Sequence, residues 1–183
     1  MVVNTYLEWS ATLLSLLFLF ALIRRKAWAW GPGIISSILS VWLFARIGLY
    51  AETMLYAIYV VMGIFGWVNW QRNVEGEDEV PLRDLPWRKQ WPSLFGIPVA
   101  LLLAYSLSHF PGVSWAYFDS FTSVFAIIAT YQETKRIRTA FHYWIPINLA
   151  TMVLYGLKGV WIYATLMLVY TIMSVVGMYK WRQ

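Results

Sequence analysis

Trp144, Asn148 and Tyr155 stand 4 and 7 residues apart inside an apolar stretch. At about 100° per residue, a helix brings them within about 40° of one another on one face. An amide in hydrocarbon needs hydrogen-bond partners, and the two rings offer flat faces with single polar tips. Such a stripe can sandwich an aromatic solute and read its edge. It can equally tie two helices together through the Asn148 amide. A second face is formed by Glu52, Tyr56, Tyr59, Gly63, Gly66 and Trp70, spaced alternately 4 and 3 apart. A carboxylate at membrane depth normally faces the bundle interior or water, and beside tyrosine rings it suits a cation. The competing reading makes Glu52 an interfacial acid partnered by Arg46, and makes Gly63 with Gly66 a close helix contact.

Other polar groups point less clearly to chemistry. Asp119, Ser123 and Thr130 share a face with Glu133 at its inner end, but Asp119 so soon after the Pro111–Ser114 loop reads as a solvated helix start. His142 reads as an interfacial side chain, and Pro146 either kinks its helix or sits in the first turns. The chain has no Cys and two His, which removes disulfides, thiolate nucleophiles and iron–sulfur clusters and leaves no ligand set for a metal. There is no Gly-rich phosphate loop, no His-Glu-x-x-His, no Gly-x-Ser-x-Gly and no carboxylate pair in one span. The expectation is therefore no catalytic residue, no cofactor and no enzyme.

The elements that must position these residues are membrane spans. Hydrophobic residues make up 60% of the 183 and charged ones 13%, against roughly 45–50% and 25% in soluble domains. Twelve Trp, twelve Tyr and ten Phe suit interfacial belts as well as ligand cages. Stretches able to cross about 30 Å of hydrocarbon fall near 6–23, 27–45, 49–71, 94–110, 114–132, 141–157 and 160–179. The first has an acidic Glu8 and no basic residue ahead of it, so it reads as a retained span and not a signal peptide. The stretch Gln71–Pro92, with Glu75, Glu77, Asp78 and Glu79 among its charges, reads as a solvated linker.

The net charge of +5 reports topology here and not a nucleic-acid partner. With the N-terminus outside, twelve of the fourteen basic residues (24–26, 72, 83, 88, 89, 135, 136, 138, 180 and 182) face the cytoplasm, leaving only Arg46 and Lys158 outside. That places the C-terminus inside, which an odd number of spans requires.

Shifting the chain against itself by 111 residues without a gap pairs Arg25 with Arg136, Leu43 with Leu154, Gly48 with Gly159, Tyr59 with Tyr170, Gly66 with Gly177 and Trp70 with Trp181. Phe44 meets Tyr155 in the same frame. The expected fold is all-α: seven transmembrane helices, two parallel three-helix repeats (1–72 and 114–183), and between them a loop and linker helix (73–113), a 3+1+3 plan. Parallel repeats of this kind are a transporter device. A channel would need a continuous polar pore, and a scaffold would need no ligand.

Gly66-Trp67-Val68-Asn69-Trp70, Trp144-x3-Asn148-x6-Tyr155-x3-Gly159 and Gly177-x3-Trp181 resemble the PnuC family of bacterial vitamin transporters over nearly the whole chain. The resemblance implies a fold related to the SWEET sugar transporters and facilitated diffusion of a vitamin through the bacterial cytoplasmic (inner) membrane. A cytoplasmic vitamin kinase would act downstream, and a homo-oligomer is compatible. It also implies that Trp144, Asn148 and Tyr155 line the substrate site. Leu55-Tyr56 stands where nicotinamide riboside transporters tend to carry Gln, which tilts the expectation toward thiamine, with nicotinamide riboside as the alternative and riboflavin third. In either cationic case Glu52, Tyr56 and Tyr59 would form the opposing wall.

Overall fold

The computed structural model describes residues 2–46, 50–72, 79–109, 115–157 and 161–182. Among these there are seven α-helices: α1 (Val2–Ile23), α2 (Trp30–Arg46), α3 (Tyr50–Gln71), α4 (Gly96–Ser108), α5 (Ala116–Thr134), α6 (Ala140–Leu157) and α7 (Trp161–Lys180). No strand occurs among the described residues, where the sole β pairing is an isolated bridge between Arg83 and Ile137. The expected all-α architecture of seven helices is what the chain adopts. By length and composition, Tyr6–Ile23, Ala27–Arg46, Thr53–Gln71 and Trp91–Ser108 can cross a membrane, and the Ala164–Lys180 part of α7 is apolar as well. The helices left out, α5 and α6, are those that interrupt their apolar runs with Asp119, Gln132, Glu133, His142 and Asn148, and polar groups at membrane depth are where function concentrates.

Burial follows the rule for a lipid-solvated bundle. Leu13, Met54, Phe65, Leu102 and Ile172 lie exposed on the outside, while Ser36, Ser37, Ser40 and Ser174 are buried. Lipid tails are as apolar as leucine, so helices associate through close packing of small residues and interhelical hydrogen bonds. Ser36 Oγ accordingly donates to the Ala11 carbonyl of α1 at 2.7 Å. With 13 residues, α4 spans only about 20 Å. The five-residue 3-10 segment Trp91–Phe95 before it adds about 10 Å, so the two together match the hydrocarbon.

Most described linker residues are exposed, but the segment is anchored at several points. Val80 and Gln90 are buried, the Val80 N–H donates to the Arg25 carbonyl at 3.0 Å, and the Arg138 N–H donates to the Arg83 carbonyl at 3.1 Å. Side chains fasten it too, through Arg25 with Glu79 and Arg138 with Asp84 at 3.2 Å. Glu75, Glu77 and Asp78 lie outside the described residues.

The 111-residue offset reappears in backbone geometry. Arg25 and Arg136 both take left-handed conformations, with φ of 56° and 63°. After α1, Arg25 N donates to the Leu22 carbonyl at 2.9 Å and Lys26 N to that of Ala21 at 3.1 Å. After α5, Arg136 N donates to the Glu133 carbonyl and Ile137 N to that of Gln132, both at 2.9 Å. This is a Schellman closure at corresponding positions. A non-glycine pays about 1–2 kcal/mol for that conformation, offset in part by a basic side chain at the negative end of the helix dipole. The packing beyond the corner also repeats. Trp30 lies against Gly66 with its ring edge-on to Trp70 (5.7 Å, 81°), and Phe141 lies against Gly177 edge-on to Trp181 (4.7 Å, 78°).

The chain forms two compact units, one of Met1–Leu82 with Glu133–Arg136 and one of Arg83–Gln132 with Ile137–Gln183. Within the first, the Trp70 indole N–H donates to the Glu133 carbonyl at 2.9 Å, and the Asn69 amide donates to the Thr134 carbonyl. These carbonyls belong to the last turn of α5, where helical partners run out. The Asn-Trp pair closing α3 therefore serves architecture.

Candidate substrate site

In the second unit, Asn148 occupies the middle of α6 and is 5% exposed. Its Nδ2 donates to Ser174 Oγ of α7 at 3.2 Å, so the amide does join two helices. That bond engages one of its two N–H donors and leaves the carbonyl oxygen's role to be assigned. Trp144, one turn earlier on the same face, is half-buried. The nearby hydroxyls are satisfied within their own helices: Thr151 donates to the Ile147 carbonyl at 2.9 Å and Thr171 to that of Met167 at 2.8 Å. Pro146 lies inside α6 and helical geometry continues through it, though a proline there releases the carbonyl four residues earlier.

In the first unit, Tyr56 stacks on Phe44 (ring centroids 5.3 Å apart, 27° between planes) and meets Tyr59 edge-on (5.6 Å, 82°). Three aromatic rings from α2 and α3 thus form a continuous, half-buried wall. Arg46, the sequence-based partner for Glu52, lays its guanidinium over the Trp42 ring at 4.1 Å. Glu52 is in α3, one turn before Tyr56, and Tyr155 is in α6, but the side chains of both lie outside the described residues. Trp144 and Asn148 therefore share one face of the second unit, and Tyr56 touches Tyr59 in the first.

Two residues of these groups escaped sequence reasoning. Ser174 is invisible as a partner because it lies 26 residues from Asn148; the available signal was a polar residue aligned with Gly63 in the repeat. Phe44 was legible only as the counterpart of Tyr155. A further network was also missed. Tyr143 Oη donates to Gln90 Oε1 at 2.9 Å, Gln90 Nε2 donates to Thr139 Oγ1 at 3.2 Å, and Thr139 Oγ1 donates to Gln132 Oε1 at 2.9 Å. Its donors and acceptors run in one direction, so each bond polarises the next, and it clamps the linker to α5 and α6 within the second unit. On the span-five face, Asp119 falls in the first turn of α5 and the Thr130 hydroxyl bonds back to the Ala126 carbonyl at 2.9 Å. Among the described residues no group of His, Cys, Asp or Glu could hold a metal ion.

The nicotinamide mononucleotide transporter family matches residues 5–183. The nicotinamide riboside transporter PnuC of Escherichia coli (strain K12) is 22% identical over 175 residues, covering 81% of this chain and 73% of that protein. The protein of the same name in Shigella flexneri gives the same figures. The crystal structure of the vitamin B3 transporter PnuC aligns with a TM-score of 0.81 at 23% identity, over 97% of this chain and 81% of that one. At this identity, the structural likeness carries the fold. The leaning to thiamine gains no support from these relatives, which are transporters and not enzymes. A multi-pass bundle with a buried amide in α6, matched by this family over nearly its whole length, is a membrane transporter, and the chain belongs to the nicotinamide mononucleotide transporter family, that of PnuC.

Proposed function

We propose that the protein carries nicotinamide riboside across the bacterial cytoplasmic membrane by facilitated diffusion with alternating access, and that a cytoplasmic kinase traps the solute by phosphorylation. The observation that carries this reading is the buried Asn148 amide beside Trp144 in α6. A pyridinium nucleoside is flat, cationic and edged by a carboxamide. It calls for aromatic faces, a counter-charge and one amide partner. The residues we assign to these roles are, in the second unit, Trp144 and Tyr155 for aromatic faces and Asn148 for the amide partner, and, in the first, Tyr56 and Tyr59 for aromatic faces and Glu52 for the charge. The names of the Escherichia coli and Shigella flexneri relatives support nicotinamide riboside over thiamine. Residues 1–72 and 114–183 are assigned as the two repeats and 73–113 as the connection between them.

The test is thermal stabilisation of the purified protein by nicotinamide riboside, thiamine and riboflavin. A ligand at a hundredfold excess over its Kd adds about 2.7 kcal/mol to the native state, or roughly 5–10 °C for a chain of this size. Nicotinamide riboside is expected to give that shift, with thiamine well below it. In Glu52→Gln, binding of the cationic solutes should weaken about tenfold while riboflavin is unaffected. A shift with none of the three, or an equal loss for charged and neutral solutes in Glu52→Gln, would remove the transport reading and the counter-charge respectively.

We also assign the N-terminus to the outside and the C-terminus to the cytoplasm, on the clustering of basic residues after α1, α3, α5 and α7. Because the chain has no cysteine, Arg88→Cys and Trp115→Cys give single labels. A membrane-impermeant maleimide should label Trp115→Cys in intact cells, and Arg88→Cys only in inverted vesicles. Labelling of Arg88→Cys from outside would reverse the assignment.

A further inference from the structure

We propose that residues 87–95, the segment leading into α4, form a docking surface for anionic phospholipid headgroups, with Arg88 and Lys89 meeting the phosphate and Trp87 and Trp91 seated beside it at headgroup depth. The inference holds whichever solute is carried.

Charge along the linker is split. Residues 75–79 carry four acids, Glu75, Glu77, Asp78 and Glu79, and no base, whereas residues 83–89 carry Arg83, Arg88 and Lys89 against Asp84 alone. That one acid is taken by Arg138 Nε at 3.2 Å. Arg88 and Lys89 are exposed and make no ion pair among the described residues. An anionic membrane surface therefore repels the first half of the linker and attracts the second.

The rings decide between a lipid and a soluble anion, which would need charges only. Trp87 and Trp91 are 61% and 60% exposed, and Leu94 and Phe95 are as open. Trp91–Ser108 can cross a membrane by length and composition, and α4 turns Ile97, Val99 and Leu102 outward. Trp91 thus marks the edge of the hydrocarbon, where indoles collect, and Trp87 lies about one turn further out. Bases interleaved with indoles at that boundary match a molecule whose phosphate and acyl chains meet at the same depth.

The surface is set before any lipid arrives. Residues 87–89 wind as a 3-10 turn, in which the Lys89 N–H donates to the Pro86 carbonyl at 2.8 Å and the Gln90 N–H to that of Trp87 at 3.0 Å. Gln90 is the one buried residue of 86–95, and its amide is fixed by Tyr143 and Thr139. The Trp87 ring rests edge-on against His142 (5.5 Å, 84°). With Gln90 turned inward, Arg88, Lys89 and Trp91 are left outward on a fixed frame. Binding then orders little beyond two long side chains.

The purified full chain in neutral detergent is titrated with dioleoyl phosphatidylglycerol and with dioleoyl phosphatidylcholine while its melting temperature is followed. The anionic lipid should raise it and the zwitterionic one should not. In Arg88→Gln/Lys89→Gln, the lipid concentration giving half the rise should increase roughly thirtyfold, about fivefold for each base removed. Should that variant prove unstable without lipid, Arg88→Gln alone is read against the same expectation of about fivefold. Arg24→Gln/Arg72→Gln removes the same charge from the first unit and should shift the midpoint by less than about fivefold. An equal loss in the two double variants, no preference for phosphatidylglycerol, or the same rise from inorganic phosphate at matched concentration overturns the proposal. The last result would mark a site for a free anion.

Discussion

Replacing Asn148 by leucine should abolish nicotinamide riboside binding while leaving a folded protein. Two magnitudes set the expectation. Removing the amide strands the polar edge of a bound carboxamide in an apolar place, at about 1–3 kcal/mol per unsatisfied group, so loss of its contacts weakens binding on the order of a hundredfold. The fold loses one interhelical bond, from Asn148 Nδ2 to Ser174 Oγ, worth about 0.6 kcal/mol in membrane proteins. Leucine keeps the same branched shape and number of side-chain heavy atoms, and the Ser174 hydroxyl can bond back into its own helix. Titration and a melting curve on the same sample check both halves of this expectation. A melting point that collapses together with binding would make Asn148 a packing residue and remove it from the site.

Gly66→Ala should be among the most destabilising single-methyl additions in this chain. A Cβ built at Gly66 lies 2.5 Å from Cε2 and Cζ2 of Trp30. That indole is 2% exposed and held between Phe18, at 5.4 Å between ring centroids, and Trp70, at 5.7 Å, so it has nowhere to retreat. Overpacking a filled interior costs about 1–3 kcal/mol. Gly177→Ala should behave alike, since its Cβ would meet the fully buried Phe141 ring at 2.6 Å. Gly31→Ala is the control: its nearest neighbour, Trp67, is 3.5 Å away, an ordinary contact, and alanine gains up to about 1 kcal/mol of helix propensity. Fluorescence-detected size exclusion after a heat step should show loss of the monodisperse peak for the first two variants and none for the third. Equal survival of Gly66→Ala and Gly31→Ala would contradict the assigned packing.

Much of the frame was legible because the sequence builds the same corner twice. Arg25 with Arg136, Gly66 with Gly177 and Trp70 with Trp181 match without a gap, and their backbone and ring geometry match in turn. Helix positions followed from apolar length, except at α4, where residues 91–95 wind as a 3-10 segment that hydropathy cannot tell from an α-helix. The linker reads as solvated and most of its described residues are exposed, but its two buried anchors, Val80 and Gln90, were not legible because they differ from their neighbours only in what they touch. The site was legible as faces and not as partnerships. Periodicity put Trp144 with Asn148 and Tyr56 with Tyr59, but a period of 3.6 says nothing about the next helix, and so Ser174 and Phe44 stayed hidden. Asn69 and Trp70 were noticed as a motif, although its purpose depended on carbonyls 65 and 63 residues away.

That last separation has a consequence for biogenesis. A ribosome delivers α1, α2 and α3 to the bilayer well before it makes Glu133 and Thr134, the residues whose carbonyls receive the Trp70 and Asn69 donors. The unit that begins at the N-terminus is thus completed from a segment synthesised after α4. Until then those two bonds cannot form. Its maturation waits on the far half of the message, so a ribosome stalled after α3 would leave a unit that is inserted but unfinished.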